Sequence, residues 1–317
     1  MSRHSNLLSS GTIHIARKAQ MAGRRRQAGG GIEALQKLAQ ERLEQGEEGA
    51  YEALQLFRGQ CARRLKKGRE DYNAAIEIAT VGANTLFEGG HLDMGADLAV
   101  YVAELYTVSK REVTSTNRDV MVELDKKFEP SSNKRLKFIK AAVKWSVDCG
   151  RRQYGDPALH FRLADAFLRR GLVELATKHF VYGEKPLLVN HVLADPNVAN
   201  EAREVLVCRG VLHFLSLENL RDARALLGAY LGLVADKKIE PPSPGHLVMF
   251  SKYLCAVCER DAAPLFQDLA RRYDSVLGAH PDLHTYVAHI AERYFGLVRQ
   301  GTPSMLDNMM KMFIGDS

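Results

Sequence analysis

The sequence predicts an all-α fold, a right-handed α-solenoid of stacked tetratricopeptide-like helical hairpins, on three observations. Apolar residues recur at spacings of three and four along nearly all of the 317 residues, the period of one helix face. The joints between these runs are short and rich in Gly, Pro and Asp, and no apolar–polar alternation of strand type is sustained. Gly155 to Pro186, finally, reads as one complete helical hairpin with its punctuation in place.

In that hairpin Asp156 supplies an N-cap and Pro157 takes the first helical position, where its missing N–H costs nothing. Leu159, Leu163 and Phe167 recur every four residues beside Ala164 and Ala166, and Arg169, Arg170 and Gly171 close the helix. A second run places Leu172, Leu175, Ala176 and Phe180 inward before Gly183 and Pro186. The order Leu163-Ala164, Phe167, Ala176, Phe180, then a proline follows the tetratricopeptide pattern, with His160 where its tryptophan would stand. One pair cannot bury its own faces, so neighbours are required.

Taken from the start, residues 1–31 read as a disordered basic tail. Arg3, Arg17, Lys18, Arg24, Arg25 and Arg26 stand there without an acid, among Ser, Gly and Gln. The composition also suits a mitochondrial transit peptide, although an Arg triplet and glycines interrupt any amphipathic helix. Setting those six cations aside leaves 38 basic against 38 acidic residues, so the net charge of +6 belongs to the tail. A neutral body argues against nucleic-acid binding by the folded part. The longest apolar run, Ala225 to Ala235, is too short to cross a bilayer, and no secretory apolar region follows the start. Five scattered cysteines form no disulfide framework and suit a reducing compartment.

From Ile32 a helix to about Gln45 turns Leu35, Leu38, Ala39 and Leu43 inward. Its partner runs from Tyr51 to Lys67 and stops at Gly68. Tyr72, Ala75, Ile76, Ala79, Ala83 and Leu86 trace the next stripe to Gly89-Gly90, and Ala96, Ala99, Val100, Ala103 and Tyr106 the one after. A helix over Asp119–Phe128, a break at Pro130-Ser131-Ser132 and a helix over Lys134–Cys149 with Trp145 follow. Beyond the Gly155 hairpin come Pro186–Ala194, Val198–Phe214 and the apolar Leu217–Val234. Asp236 to Gly245 holds three prolines and is a long loop, a functional candidate in an array of short joints. Helices resume at Leu247–Glu259, Ala262–Leu277, Leu283–Leu297 and Met305–Ile314, giving about seven hairpins.

No phosphate-binding GxxxxGK[ST], dinucleotide GxGxxG, zincin HExxH or GxSxG nucleophile motif occurs. Cys255 and Cys258, with His280, His284 and His289, form the best candidate metal set. They lie in an apolar helical run at the wrong spacing for a zinc finger, so buried thiols are expected and no metal or other cofactor. His160 faces the side of Leu163 and Phe167 and is expected to be packed and hydrogen-bonded rather than a general base. The cluster Arg63-Arg64-Leu65-Lys66-Lys67 ends a helix and complements its dipole; it is also suited to an acidic protein partner. The methionine and phenylalanine stripe from Met305 to Phe313 either caps the core or binds a partner.

Several patterns together resemble one family. Tyr51-Glu52-Ala53, Lys144-Trp145-Ser146, Gly155-Asp156-Pro157 with Leu159-His160, Tyr294-Phe295-Gly296 and the ending Leu306, Met309-Met310, Phe313 look like the scaffold subunit of the GET pathway, the fourth Golgi-to-ER-traffic protein. The similarity runs from about Ile32 to the end; the basic tail and the proline-rich loop depart from the pattern. The resemblance implies a cytosolic scaffold without enzymatic activity, which takes no cofactor, inserts into no membrane and binds no nucleic acid. It implies bridging of a ubiquitin-like-domain subunit, with a tetratricopeptide co-chaperone reached indirectly, to the ATPase that targets tail-anchored proteins to the endoplasmic reticulum. On that division, N-terminal repeats over 32–150 present Lys37, Glu41, Arg42, Arg58, Arg63 and Arg64 to the ATPase. C-terminal repeats over 151–317 present Leu247, Met249, Phe250, Tyr294, Phe295, Leu306, Met309, Met310 and Phe313 to the ubiquitin-like partner. The alternatives are a tetratricopeptide-like module of another complex and, more distantly, a zinc-dependent enzyme.

Overall fold

The structure, a computed structural model, describes residues 31–66, 70–194, 199–240 and 245–297. The tail to residue 30, Lys67 at the foot of the Arg63 cluster, residues 241–244 of the proline loop and the Met305–Phe313 stripe lie outside the described residues. Every regular element described is a helix. In chain order they are α1 (31–43), α2 (Glu47–Arg64), α3 (Tyr72–Glu88), α4 (Leu92–Val108), α5 (Ser115–Asp125), α6 (Asn133–Cys149), α7 (Pro157–Leu168) and α8 (Val173–Tyr182). There follow α9 (Pro186–Leu193), α10 (Asn200–Ser216), α11 (Leu220–Ala235), α12 (His246–Glu259), α13 (Ala263–Arg272), α14 (Asp274–Gly278) and α15 (Pro281–Phe295). They form two compact units, one ending at Cys149 and the next beginning at Gly150.

In unit 1 successive helices pack as hairpins, α2 on α3 and α3 on α4, and α4 also packs on α6. Small residues set the spacing: a Cβ on Gly82 would stand 2.5 Å from Cγ of Phe57, so α2 and α3 approach as closely as glycine allows. Phe128 fills the space between Phe87 and Phe138, with ring centroids 5.1 and 5.0 Å away. Trp145 is wholly buried, edge-on to Tyr106, and its indole N–H donates to the Arg111 carbonyl at 2.7 Å. Asp125 and Arg135 form a buried two-pronged ion pair at 2.9 and 3.0 Å. Asp71 and Thr114 cap α3 and α5 through the N–H groups of Ala74 and Asn117.

Three expectations for unit 1 are corrected. Leu38 is 41% exposed, because Leu35 and Ala39 already fill the buried stripe of α1. Helix α2 begins four residues before Tyr51, where Glu47 and Glu48 place acids against the N-terminal dipole. Helix α5 runs from Ser115 to Asp125, starting where Thr114 caps it and ending before Phe128 turns into the core.

In unit 2 the Asp156 cap is present, accepting from the N–H of Ala158 at 2.9 Å and of Leu159 at 3.4 Å. Gly155 before it has φ of 87°, a left-handed turn that glycine adopts at little cost. Leu159, Leu163, Ala164 and Phe167 are buried as the pattern requires. Leu172 and Leu175 are not: they are 43% and 38% exposed. Leu172 is the N-cap of α8, outside the helix, and Leu175 flanks the buried face made by Ala176, Thr177, Phe180 and Val181. The apolar run expected from Leu217 becomes helical only at Leu220, where Asn219 caps α11 through the N–H of Asp222. The continuous helix expected over Ala262–Leu277 is two, α13 and α14, parted at Tyr273, whose ring lies 5.2 Å from that of Phe250. Arg209 of α10 ties in α15 through Asp282 at 2.6 Å and α8 through Glu174 at 3.3 Å.

Candidate protein-interaction surfaces

The N-terminal surface is built on the α1–α2 hairpin. Leu35 and Ala39 turn inward, which leaves Lys37 and Glu41, one turn apart, exposed on α1. Arg58 and Arg63 are exposed on α2, and Arg64 is half-buried in its last turn. An ion pair between Arg42 and Glu52 ties the two helices together. From that pair, Lys37 and Arg58 lie about one and a half turns further along their antiparallel helices, so they reach the same level of the surface. Arg63 and Arg64 lie beyond them. Arg42, expected on the ATPase-facing surface, is half-exposed and also pairs with Glu52 within the hairpin.

On the C-terminal side the expected anchors divide. Leu247 and Phe250 are 4% and 0% exposed, so they belong to the core of unit 2 and not to a partner surface. Met249, on the opposite side of α12, is exposed, and Tyr253 four residues on shares its face. Tyr253 is not among the anchors expected from the sequence; its offset of four from Met249 was the available signal. Tyr294 and Phe295 are half-buried at the end of α15, with Phe295 4.8 Å from Phe266 by ring centroid. Burial pushes the Tyr294 hydroxyl up to about 12. Leu306, Met309, Met310 and Phe313 lie outside the described residues.

Helix α12 presents Met249 in a defined orientation because its N-terminus is tied down from a distance. Gly245 offers no capping side chain. Instead Oε1 of Glu204, on α10, accepts from the N–H of Leu247 at 2.7 Å and of Val248 at 3.3 Å. Of the loop before it, Ile239 is buried and Lys238 pairs with Asp236 at 3.0 Å.

Four of the five thiols are buried, and Cys149 is half-exposed. Cys61 is pushed up to about 11, and Cys208, Cys255 and Cys258 to about 12, by burial, so these thiols are neutral at pH 7. His160 is packed and hydrogen-bonded, with Nδ1 2.8 Å from His179 Nδ1 and Nε2 2.6 Å from the Tyr154 carbonyl; burial lowers it to about 4. Among the described residues no group of three His, Cys, Asp or Glu side chains could hold a metal ion. An open cleft of about 360 Å³ beside α3 and α5 is lined by Thr80, Asn84, Thr116, Asp119, Val120, Glu123 and Leu124, without imidazole or thiol. No helix among the described residues is long and apolar enough to cross a membrane.

Helical hairpins carrying charged and apolar faces on their outside define an all-α protein of the α-solenoid, scaffold-type class. The family model described as "Golgi to ER traffic protein 4" matches residues 69–314, and the chain belongs to that family. It is 25% identical over 305 residues to the Golgi to ER traffic protein 4 homolog of Homo sapiens, covering 94% of this chain and 91% of the relative. To Protein GET4 of Arabidopsis thaliana it is 28% identical over 300 residues, covering 83% and 90%. To the Dictyostelium discoideum homolog it is 24% identical over 270 residues, covering 84% and 85%. Among solved structures, the crystal structure of C. therm. Get4 matches with a TM-score of 0.70 and 27% identity, over 90% of this chain and 96% of that one. Family membership places the protein in the GET pathway.

Proposed function

We propose that this chain is a non-enzymatic cytosolic scaffold in the delivery of tail-anchored membrane proteins to the endoplasmic reticulum. It bridges a ubiquitin-like-domain subunit, and through it a client-bearing chaperone with its tetratricopeptide co-chaperone, to the targeting ATPase. The observation that carries this reading is membership of the Golgi to ER traffic protein 4 family over most of the chain. The separation of surface types supports it. A charged face on α1 and α2 suits a salt-sensitive, reversible contact. An apolar face including Met249 and Tyr253, with the Met305–Phe313 stripe, suits a lasting one. Thiols kept neutral by burial favour binding over catalysis.

The test is reconstitution from purified components. The full chain, the ubiquitin-like-domain subunit and the targeting ATPase should elute as one complex that neither partner forms with the other alone. Binding to neither partner overturns the reading and leaves a tetratricopeptide-like module of another assembly.

A further inference from the structure

Eight of the eleven histidines lie beyond Gly150, and among the described residues unit 1 has only His91. Three of the eight, His160 on α7, His179 on α8 and His213 on α10, share one aromatic column. The rings of His160 and His179 stack at 5.1 Å, and His179 stacks on Phe167 at 5.4 Å. Tyr182 meets His160 at 5.0 Å and stands edge-on to His213 at 4.5 Å. His213 in turn meets Tyr286 of α15 at 5.1 Å. His160 and His213 are 4% and 2% exposed. The column thus joins four helices, and on three of them, α7, α8 and α10, it contains an imidazole that can take up a proton.

The hydrogen bonds assign the tautomers. The Tyr154 carbonyl 2.6 Å from Nε2 of His160 can only accept, so Nε2 carries the proton and Nδ1 the lone pair. His179 Nδ1, 2.8 Å away, must then be the N–H that donates to it. A second proton on His160 would set two donors head to head unless His179 changed tautomer. The surrounding charges do not compensate. Asp156 favours a cation at His160, but Lys178 of α8 opposes one at both His160 and His213. Asp282 of α15 and Glu174 of α8 are already engaged by Arg209 of α10. Arg293 of α15 approaches the Tyr154 hydroxyl at 3.4 Å and pairs with Glu218 at 3.7 Å, so that carboxylate too is engaged by an arginine.

We propose that this column is an acid latch: the junction of α7, α8, α10 and α15 holds while its imidazoles are neutral, and acidification opens it while unit 1 stays folded. Burial holds His160 near 4 and His213 near 3, against 6.5 for a solvated imidazole. For a base lowered in the closed state, the open state takes up protons first. Full stability is therefore present above about pH 6.5 and is lost as pH falls toward 4. At pH 5 each of the two histidines multiplies the opening equilibrium by roughly thirty.

The experiment is segment-resolved amide hydrogen exchange on the full chain at pH 7.5 and 5.0, corrected for intrinsic rates, with His213→Phe as the comparison. Opening of α10 and α15 should rise at least tenfold more than that of α3 and α4 on acidification, and His213→Phe should remove most of that excess. An equal rise in both units overturns the proposal, as does a variant with the pH dependence of the unaltered chain. Should His213→Phe not fold, ring-proton NMR titration of the unaltered chain decides. Imidazole signals of His160 and His213 that stay unshifted to pH 5.5 support the latch, and titration near 6.5 overturns it.

Discussion

Glu204 caps a helix more than forty residues away: its carboxylate accepts the N–H groups of Leu247 and Val248 at 2.7 and 3.3 Å, in place of the local cap that Gly245 cannot supply. Two donors at the start of α12 are satisfied from α10, which fixes the direction in which α12 presents Met249 and Tyr253. Glu204→Ala should cost about 1–2 kcal/mol in urea unfolding, the range for a lost cap with charge-assisted hydrogen bonds. Amide exchange should speed first in the opening turn of α12. Unchanged exchange there would show that the cap does not hold the helix.

The close approach of α2 and α3 at Gly82 leads to a second expectation. A methyl group there meets the Phe57 ring at 2.5 Å, so Gly82→Ala should destabilise by about 1–3 kcal/mol despite the better helix propensity of alanine. Phe57→Leu made alongside should recover part of that loss. Strictly additive losses in the double variant would mean that the two residues are not in the contact described.

For the charged surface, Lys37→Glu with Arg58→Glu is the informative pair. Arg42 is engaged with Glu52, and reversing it would disturb the hairpin itself. The double reversal should weaken ATPase capture at least tenfold at low ionic strength, with the difference shrinking as salt screens the charges. Equal affinities at low salt would remove the N-terminal face from the contact.

The apolar end calls for a different test. Met310→Asp with Phe313→Asp should abolish co-elution of the ubiquitin-like-domain subunit while the far-ultraviolet dichroism keeps its helical signal. Leu247→Asp or Phe250→Asp would not serve the same purpose, since both side chains are core and their replacement unfolds unit 2. Retained binding by the Met310, Phe313 double variant would rule out that stripe as the partner site.

Much of the fold was legible because its signals are local. Asp156, Pro157 and Gly155 specify the start of α7 within a few residues of chain, and the spacing of Ala75, Ile76, Ala79, Ala83 and Leu86 specifies the inner face of α3. The errors came where a neighbour rather than the period decides. Leu38, Leu172 and Leu175 have the hydropathy of core residues yet sit beside stripes already filled. Phe250 and Leu247 seemed suited to a partner for the same reason, and their own unit buries them. Tyr273 interrupts a run that is helical by propensity throughout, at the point where its ring packs against Phe250.

By itself, then, the sequence determined the helical class, most helix starts and the family, because caps, turn residues and a 3.6-residue period act over one or two turns. Only the tertiary structure decided which apolar side chains remain outside, that Arg42 pairs with Glu52, and that Glu204 caps α12. It also brought His160, His179 and His213 into one column across three helices. Those outcomes depend on contacts between residues distant in the chain, and periodicity marks the face a helix will bury without saying what it will meet there.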